Sequence, residues 1–180
     1  MEGQSGTGLI NEEVAVRHLM AFNIIGVIGA SKADPATMQL AEEVGMEIAK
    51  RGAALVCGGL TGVMEAACKG ARSEHGLTIG IIPSDDRKDA NHYVQIPIVT
   101  GMGVGRNVML VKSADVIIAV GGEYGTLSEI AHALNLGKVV IGLNTWDLER
   151  ATEKGVPNLR KAHSAKEAVD LAFQTVTAKG

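Results

Sequence analysis

The sequence predicts an α/β protein with one mostly parallel sheet and helices on both of its faces. Short apolar runs rich in β-branched residues alternate with segments of helical periodicity, which is the pattern of successive βαβ units. The chain has 180 residues, of which 46% are hydrophobic and 21% charged, so it can bury one compact core without cross-links. We expect one domain over residues 23–180, preceded by an N-terminal extension over residues 1–22.

The apolar runs place six strands in order along the chain. We expect them near residues 23–28, 53–57, 77–82, 95–99, 115–120 and 138–143. The first helix follows the first of these strands, with Asp34 as N-cap, Pro35 at the first helical position and Gly52 as the stop. A final helix in the C-terminal tail begins after Ser164, its predicted cap.

Three further helices are predicted between the strands. The one after residue 62 and the one after residue 125 each carry an apolar stripe to lay on the sheet. A helix near 103–113 is weaker because of its glycines. The two stripes consist of Val63, Met64, Ala67, Cys68 and Ala71 in the former, and Leu127, Ile130, Ala131 and Leu134 in the latter. The polar segment 83–94 is predicted to be a loop at the carboxyl edge of the sheet.

Composition and charge argue against several classes of protein. The net charge of −3 gives no general attraction to a phosphate backbone, so we expect no nucleic-acid partner. The apolar runs are too short to span a membrane, and the N-terminus lacks a secretory signal pattern, so we expect a cytoplasmic protein. Cys57 and Cys68 do not form a metal-binding motif and are predicted to be buried thiols. No metal site and no required cofactor are predicted.

Two similar glycine-rich turns follow predicted strands, at "LVCGGLTGVMEAA" (55–67) and "AVGGEYGTLSEI" (119–130). Such turns bring the backbone close to a ligand, and the helix N-terminus that follows favours an anion, most often phosphate. The alternative is that these glycines only make tight turns. The candidate phosphate-binding residues, including two in the turn after the first strand, are Gly29, Ser31, Gly58, Gly59, Thr61, Gly62, Gly121, Gly122, Gly125 and Thr126. The sequence contains neither a P-loop nor the dinucleotide-binding fingerprint.

Glu129 and Arg106 are the candidate catalytic residues if the protein is an enzyme. Thr126 and Glu129 have the spacing of a capping box, which would give Glu129 a structural role. Glu129 also lies about 160° around the helix from the apolar stripe, at about 100° per residue, where it could face a cleft. Arg106 follows several glycines and could bind a phosphate or carboxylate through two hydrogen bonds, or be a surface charge.

Taken together, the motifs over residues 23–143 resemble a superfamily of Rossmann-like proteins. It includes the LONELY GUY phosphoribohydrolases, the molybdenum-cofactor carrier proteins and proteins labelled "possible lysine decarboxylase". The motifs that carry the resemblance are "IGVIGAS", "LVCGGLTGVMEAACKGA", "TIGIIP", "GRNVMLVKSADVIIAVGGEYGTLSEIAHAL" and "GKVVIGL". The resemblance implies a Rossmann-like nucleotide-binding domain, a homodimer or higher homo-oligomer, and a phosphorylated small molecule of nucleotide or pterin type as ligand.

In the phosphoribohydrolases the last motif reads PGGxGTxxE, and an upstream RK pair supplies an arginine. The resemblance places the glutamate and arginine tied to activity at Glu129 and Arg106. This chain departs from the motif at Val120, at Glu123-Tyr124 in place of one residue, and at Asn107 in place of the lysine. These departures favour the carrier-type branch. Nothing in the sequence supports the pyridoxal phosphate chemistry that the decarboxylase label implies.

Three functions remain open at this point. The first is a cytoplasmic carrier whose ligand could be molybdenum cofactor. The second is an enzyme that cleaves the N-glycosidic bond of a nucleoside 5′-monophosphate, with Glu129 stabilising the oxocarbenium-like sugar or activating water. The third is a sensor whose ligand controls a partner through the 83–94 loop.

Overall fold

The computed structural model describes residues 23–148 and 155–177, which form one sheet and its covering helices. Within these ranges seven strands make a single sheet in the order β4-β3-β2-β1-β5-β6-β7, and every pairing is parallel. The strands are β1 (Ile24–Gly29), β2 (Ala54–Cys57), β3 (Thr78–Ile82), β4 (Ile96–Val99), β5 (Val116–Val120), β6 (Val140–Leu143) and β7 (Leu159–Ala162). The α/β fold class and the six predicted strands are therefore confirmed.

Five α-helices accompany the strands in the described ranges. They are α1 (Pro35–Lys50), α2 (Val63–Ser73), α3 (Arg106–Ser113), α4 (Tyr124–Asn135) and α5 (Ala165–Thr177). Short 3₁₀ turns at Arg87–Asp89 and Gly103–Gly105 lie in the loop after β3 and just before α3. The extension expected over residues 1–22 lies outside the described residues.

The predicted ends of α1 and α5 are confirmed. The Asp34 side chain accepts a hydrogen bond from the Thr37 amide at 3.0 Å, and Pro35 is the first residue of α1. Gly52 follows the helix with φ of +73°, a conformation that glycine adopts without strain. The amide of Glu167 donates to the Ser164 hydroxyl at 3.2 Å, which makes Ser164 the cap of α5.

The helices form two layers, one on each face of the sheet. Helices α1, α2 and α5 pack on one face, where Val44, Ile48, Ala67 and Val169 are buried against the strands. Helices α3 and α4 pack on the other face, as the predicted βαβ topology requires. Cys57 and Cys68 are free thiols, as predicted, and both are buried between the sheet and the layer formed by α1, α2 and α5. None of the described helices is long and apolar enough to cross a membrane.

Successive strands are added on one side of β1 from β2 to β4, and on its other side from β5 to β7. From β1 the chain passes through α1 and α2 toward the β4 edge, and α3 then returns it to β5 beside β1. The connections that leave the carboxyl ends of β1 and β5 therefore go to opposite faces, since α1 and α4 lie on opposite layers. A crevice opens at such a switch point, where open α/β sheets bind ligands.

Helix α4 differs from its prediction. The capping-box interpretation of Thr126 and Glu129 is wrong, because α4 begins at Tyr124 with Glu123 as its N-cap, and no side-chain capping bond is present at that end within the described chain. The amide of Leu127 donates to the Glu123 carbonyl at 3.0 Å, so the N-cap lies three residues before the predicted one, Thr126. The buried face consists of Thr126, Glu129, Ile130 and Ala133, whereas Ala131 of the predicted stripe is exposed.

Candidate functional site

A cleft of about 270 Å³ lies at the switch point, over the carboxyl ends of the central strands. The turn after β1, the start of α3 and the first two turns of α4 form its walls. It is lined by Gly29, Ala30, Ser31, Leu60, Met64, Pro83, Gly103, Val104, Arg106, Asn107, Glu123, Gly125, Thr126 and Glu129. The lining combines one arginine, two glutamates, two hydroxyl groups and several apolar side chains, which is typical of a site for a polar small molecule.

The floor of the cleft contains an ion pair between α3 and α4. Nη1 of Arg106 lies 3.4 Å from Oε1 of Glu129, and the two side chains are only 8% and 9% exposed. Glu129 lies on the buried face of α4, and Arg106, the first residue of α3, reaches it there. The structure thus brings together the two residues that the sequence singled out as catalytic candidates.

The pKa values of both partners respond to burial. Loss of solvation raises the pKa of Glu129 from 4.5 to about 7, although the Arg106 charge and hydrogen bond act in the opposite direction. Burial also lowers the pKa of Arg106, and the negative charge of Glu129 counteracts that shift. A carboxyl group with a pKa near neutrality, located in a cleft, can donate or accept a proton at the pH of the cell.

The Arg106 guanidinium still has a free hydrogen-bond donor. Nη1 donates to Oδ1 of Asn107 at 2.6 Å and to Glu129, but the buried Nε has no partner among the described residues. A buried donor without an acceptor costs free energy, so such an atom is commonly satisfied by water or a ligand. Arg106 can therefore donate a hydrogen bond to an anionic ligand in the cleft while it remains paired with Glu129.

Gly58 allows the guanidinium to lie where it does. A Cβ atom at this position would overlap Nη2 of Arg106 and would come within 2.7 Å of Sδ of Met64. The first glycine-rich turn therefore forms the support behind Arg106. Its neighbour Gly59 has φ of +72° and lies against Gly80 and Ile82 of β3.

The structure divides the predicted phosphate-binding residues into two sets. The residues on the cleft wall are Gly29, Ser31, Arg106, Gly125 and Thr126. The others are not part of the cleft lining and form the turns behind it; they are Gly58, Gly59, Thr61, Gly62, Gly121 and Gly122.

In the first glycine-rich turn the hydrogen-bonding groups are directed at the neighbouring loop. The Thr61 hydroxyl donates to the Ser31 carbonyl at 3.0 Å, and the amide of Val63 donates to the Ala30 carbonyl at 3.0 Å. These bonds fix the turn after β1 against the start of α2. The two glycine turns are thus alike in sequence but different in position, and the second lies nearer to the cleft through Gly125 and Thr126.

Several cleft residues were not among the predicted site residues. Leu60, Met64 and Val104 contribute apolar surface, and Val104 is 88% exposed. Isolated apolar residues near glycines give no sequence signal that separates a ligand wall from a core position. Across residues 23–148 and 155–177, no three His, Cys, Asp or Glu side chains are grouped as metal ligands.

An aromatic contact lies beside the cleft at the start of α4, where Glu123 is the N-cap and Tyr124 the first helical residue. Nε1 of Trp146 donates to the Glu123 carbonyl at 3.3 Å. The Trp146 and Tyr124 rings are tilted by 35° with centroids 5.8 Å apart, an arrangement that aromatic pairs favour. The loop after β6 thus contacts Glu123 and Tyr124, two of the residues by which the chain departs from the PGGxGTxxE motif.

Proteins of similar structure are known from other organisms. The molybdenum cofactor binding protein from the phototrophic bacterium Rippkaea orientalis has a TM-score of 0.82 and 40% identity, over 87% of this chain and 99% of that one. The molybdenum cofactor carrier protein from Chlamydomonas reinhardtii has a TM-score of 0.77 and 34% identity, over 86% of this chain and 99% of that one.

Sequence comparison adds an enzyme and a family. A cytokinin riboside 5′-monophosphate phosphoribohydrolase from Mycobacterium marinum is 32% identical over 126 residues, which are 65% of this chain and 67% of that protein. The predicted resemblance to both branches of the superfamily is therefore confirmed. Residues 22–172 match the SLOG cluster4 family, and the chain belongs to that family.

Proposed function

We propose that this protein is a carrier that binds a phosphorylated, nucleotide-like ligand in the switch-point cleft, and that the ligand is molybdenum cofactor. The observation that carries this proposal is the buried Nε of Arg106, a cationic donor that lacks an acceptor within the described chain. Anions are the natural acceptors for such a donor. The similar proteins from Rippkaea orientalis and Chlamydomonas reinhardtii, which bind or carry molybdenum cofactor according to their names, support this identity of the ligand.

The cleft has groups that suit both ends of a phosphorylated pterin. The phosphate would be held by Arg106 together with the hydroxyl groups of Ser31 and Thr126, which also line the cleft. The flat ring would lie against apolar side chains, for which Leu60, Met64 and Val104 are available. Binding of this kind needs no bond to be broken, so Glu129 would serve to hold Arg106 in place.

The proposal is tested by loading the purified protein with molybdenum cofactor released from a molybdoenzyme. After gel filtration, bound cofactor is oxidised to its fluorescent pterin derivative and quantified. We expect retention by the wild type and at least about tenfold weaker retention by Arg106→Lys, because an ammonium cannot form the same set of planar hydrogen bonds. Arg160→Lys is the matched control, since Arg160 lies exposed on the edge strand β7. Equal retention by all three proteins, or by none, contradicts the proposal.

A second candidate function is hydrolysis of a nucleoside 5′-monophosphate to free base and ribose 5-phosphate. It is favoured by the raised pKa of Glu129, about 7, and by the similarity to the mycobacterial phosphoribohydrolase. A carboxyl group beside the sugar could stabilise an oxocarbenium-like transition state or activate water. Incubation with a panel of nucleoside 5′-monophosphates, with free base measured by chromatography, distinguishes the two functions. Release of base by the wild type but not by Glu129→Gln would identify an enzyme and remove the carrier proposal.

A further inference from the structure

Two buried cysteines lie next to each other directly behind the Arg106 support. Sγ of Cys57, the last residue of β2, is 3.4 Å from Sγ of Cys68 on α2. Both are free thiols and both are 0% exposed. The bonded distance in a disulfide is about 2.05 Å, so a contraction of little more than an ångström would join them.

We infer that Cys57 and Cys68 form a reversible disulfide that alters the ligand cleft through the Gly58–Gly59 turn. The Gly59 amide donates to Sγ of Cys57 at 3.3 Å, and Gly58 is in close contact with the Arg106 guanidinium. The sulfur atom is thus one residue from the contact that positions the cationic group of the cleft. This device does not depend on which ligand the cleft binds.

Formation of the disulfide should move Cys57 and the turn after it, rather than Cys68 and helix α2. Helix α2 cannot shift freely, because Gly45 and Gly70 bring the backbones of α1 and α2 into direct contact at Ala67 and Glu42. A displacement of α2 would have to disrupt this close packing with α1. The end of β2 leads instead into a glycine turn, which adjusts its backbone more easily. Closing the disulfide would therefore displace Gly58 and Gly59, and with them the guanidinium of Arg106.

The reaction uses hydrogen peroxide as the oxidant and is balanced. The thiolate sulfur of Cys57 attacks one peroxide oxygen, which gives a sulfenic acid and releases hydroxide. The Cys68 sulfur then attacks the Cys57 sulfur, the S–S bond forms, and the sulfenic oxygen leaves with the thiol proton. In total two thiols and one peroxide give one disulfide and two waters. The hydrogen bond from Cys68 also holds the pKa of the Cys57 thiol below its ordinary value, which favours Cys57 as the attacking group.

Access to Cys57 runs through the cleft wall. Met64 lines the cleft, and its carbonyl oxygen lies 3.9 Å from Sγ of Cys57. Met64 therefore lies between the cleft and the Cys57 thiol, and hydrogen peroxide would have to pass it. The disulfide is reversed by a dithiol reductant in the usual exchange reaction.

The test treats the full-length protein with hydrogen peroxide and then blocks remaining thiols before proteolysis. We expect mass spectrometry to find the peptide of Cys57 joined to that of Cys68, with the link removed by dithiothreitol. Nuclear magnetic resonance of the ¹⁵N-labelled protein without ligand should show shifted signals for the Gly58 and Gly59 amides and for Nε–H of Arg106. In Cys68→Ala the linked peptide should be absent, and a sulfenic acid on Cys57 should react with dimedone.

Two results would overturn the inference. One is the absence of the Cys57–Cys68 link in a folded protein whose thiols have been exposed to excess peroxide. The other is a linked protein in which the signals of Gly58, Gly59 and Arg106 remain where they were. Because these readouts require no bound molecule, they stand apart from the molybdenum cofactor retention experiment, and either proposal can fail while the other holds.

Discussion

Arg106 and Glu129 are 23 residues apart in the chain, yet Nη1 of the one lies 3.4 Å from Oε1 of the other at the floor of the cleft. Their helices lie on the same face of the sheet, so the pair couples α3 to α4. A buried pair of this kind is costly to break, because the remaining charge is left without a partner. Four predictions concern this pair, two glycines at the cleft and the glycine contact between α1 and α2.

Glu129→Gln is expected to change how stability depends on pH. The folded-state pKa of Glu129 is about 7, above the ordinary value of 4.5, so the folded protein holds a proton that the unfolded chain releases between these values. The free energy of unfolding of the wild type should therefore fall as the pH rises from 4.5 to about 7, by on the order of 3 kcal/mol, and this contribution should stay constant above that range.

Urea unfolding across this pH range measures the effect. Glu129→Gln should lose the decline because it has no proton to release, even if its overall stability is lower. Glu74→Gln, at an exposed position after α2, should keep the wild-type profile. If Glu129→Gln declines with pH as steeply as the wild type, the carboxyl does not titrate in this range.

Gly58→Ala is expected to displace the Arg106 side chain in the cleft, although Gly58 does not itself line the cleft. The new Cβ atom would overlap the Arg106 guanidinium, which costs about 1–3 kcal/mol as overpacking and displaces the cationic group from the cleft. We expect a lower free energy of unfolding and at least about tenfold weaker cofactor retention, as for the loss of a charge-assisted contact. The control is Gly105→Ala, where the nearest atoms to the new Cβ belong to Met102 at 3.9 Å. If this variant loses as much stability and cofactor retention as Gly58→Ala, the overlap with Arg106 is not the cause.

Gly125→Ala should separate stability from binding. No atom lies within 4 Å of a Cβ atom at this position, and the residue is in the first turn of α4. Alanine should therefore stabilise the protein by about 0.5–1 kcal/mol. The same methyl group would project into the ligand cleft and weaken cofactor retention. Chemical unfolding and the retention assay on one protein sample check both results, and unchanged retention would remove Gly125 from the binding residues.

Gly45→Ala tests the contact between α1 and α2. Its Cβ atom would overlap the Ala67 carbonyl oxygen, which is backbone and cannot move aside as a side chain can. We expect a loss of about 3 kcal/mol or more in the free energy of unfolding. Urea unfolding with Gly105→Ala as the reference measures it. A loss below about 1 kcal/mol, the range of ordinary surface substitutions, would mean that the helices separate easily.

The sequence predicted the sheet well because each central strand is apolar along its whole length. Strands such as β5, with all five residues buried, leave little ambiguity when they alternate with helices. Strand β7 was missed because its sequence, LRKA, contains two exposed charged residues, Arg160 and Lys161, and so forms no apolar run. The strand at the other edge of the sheet, β4, has the apolar sequence IPIV and was predicted.

The candidate site was predicted in part. Arg106, Gly125, Thr126 and Glu129 were singled out and all line the cleft. The local motif from Thr126 to Glu129 favoured a capping box, but the helix begins earlier, at Tyr124, and Glu129 lies on its buried face. Local patterns show which hydrogen bonds a helix end can make, whereas the bonds it does make depend on residues from other parts of the chain.

The contact of Trp146 with the first residues of α4 gives the protein an optical probe of its own. The chain contains one tryptophan, and its indole is hydrogen-bonded to Glu123 of the cleft wall and packed on Tyr124. All of the tryptophan emission therefore originates beside the cleft entrance. If the cleft binds the proposed ligand, we expect its entry to change this fluorescence, so that binding could be followed in the unlabelled protein in real time.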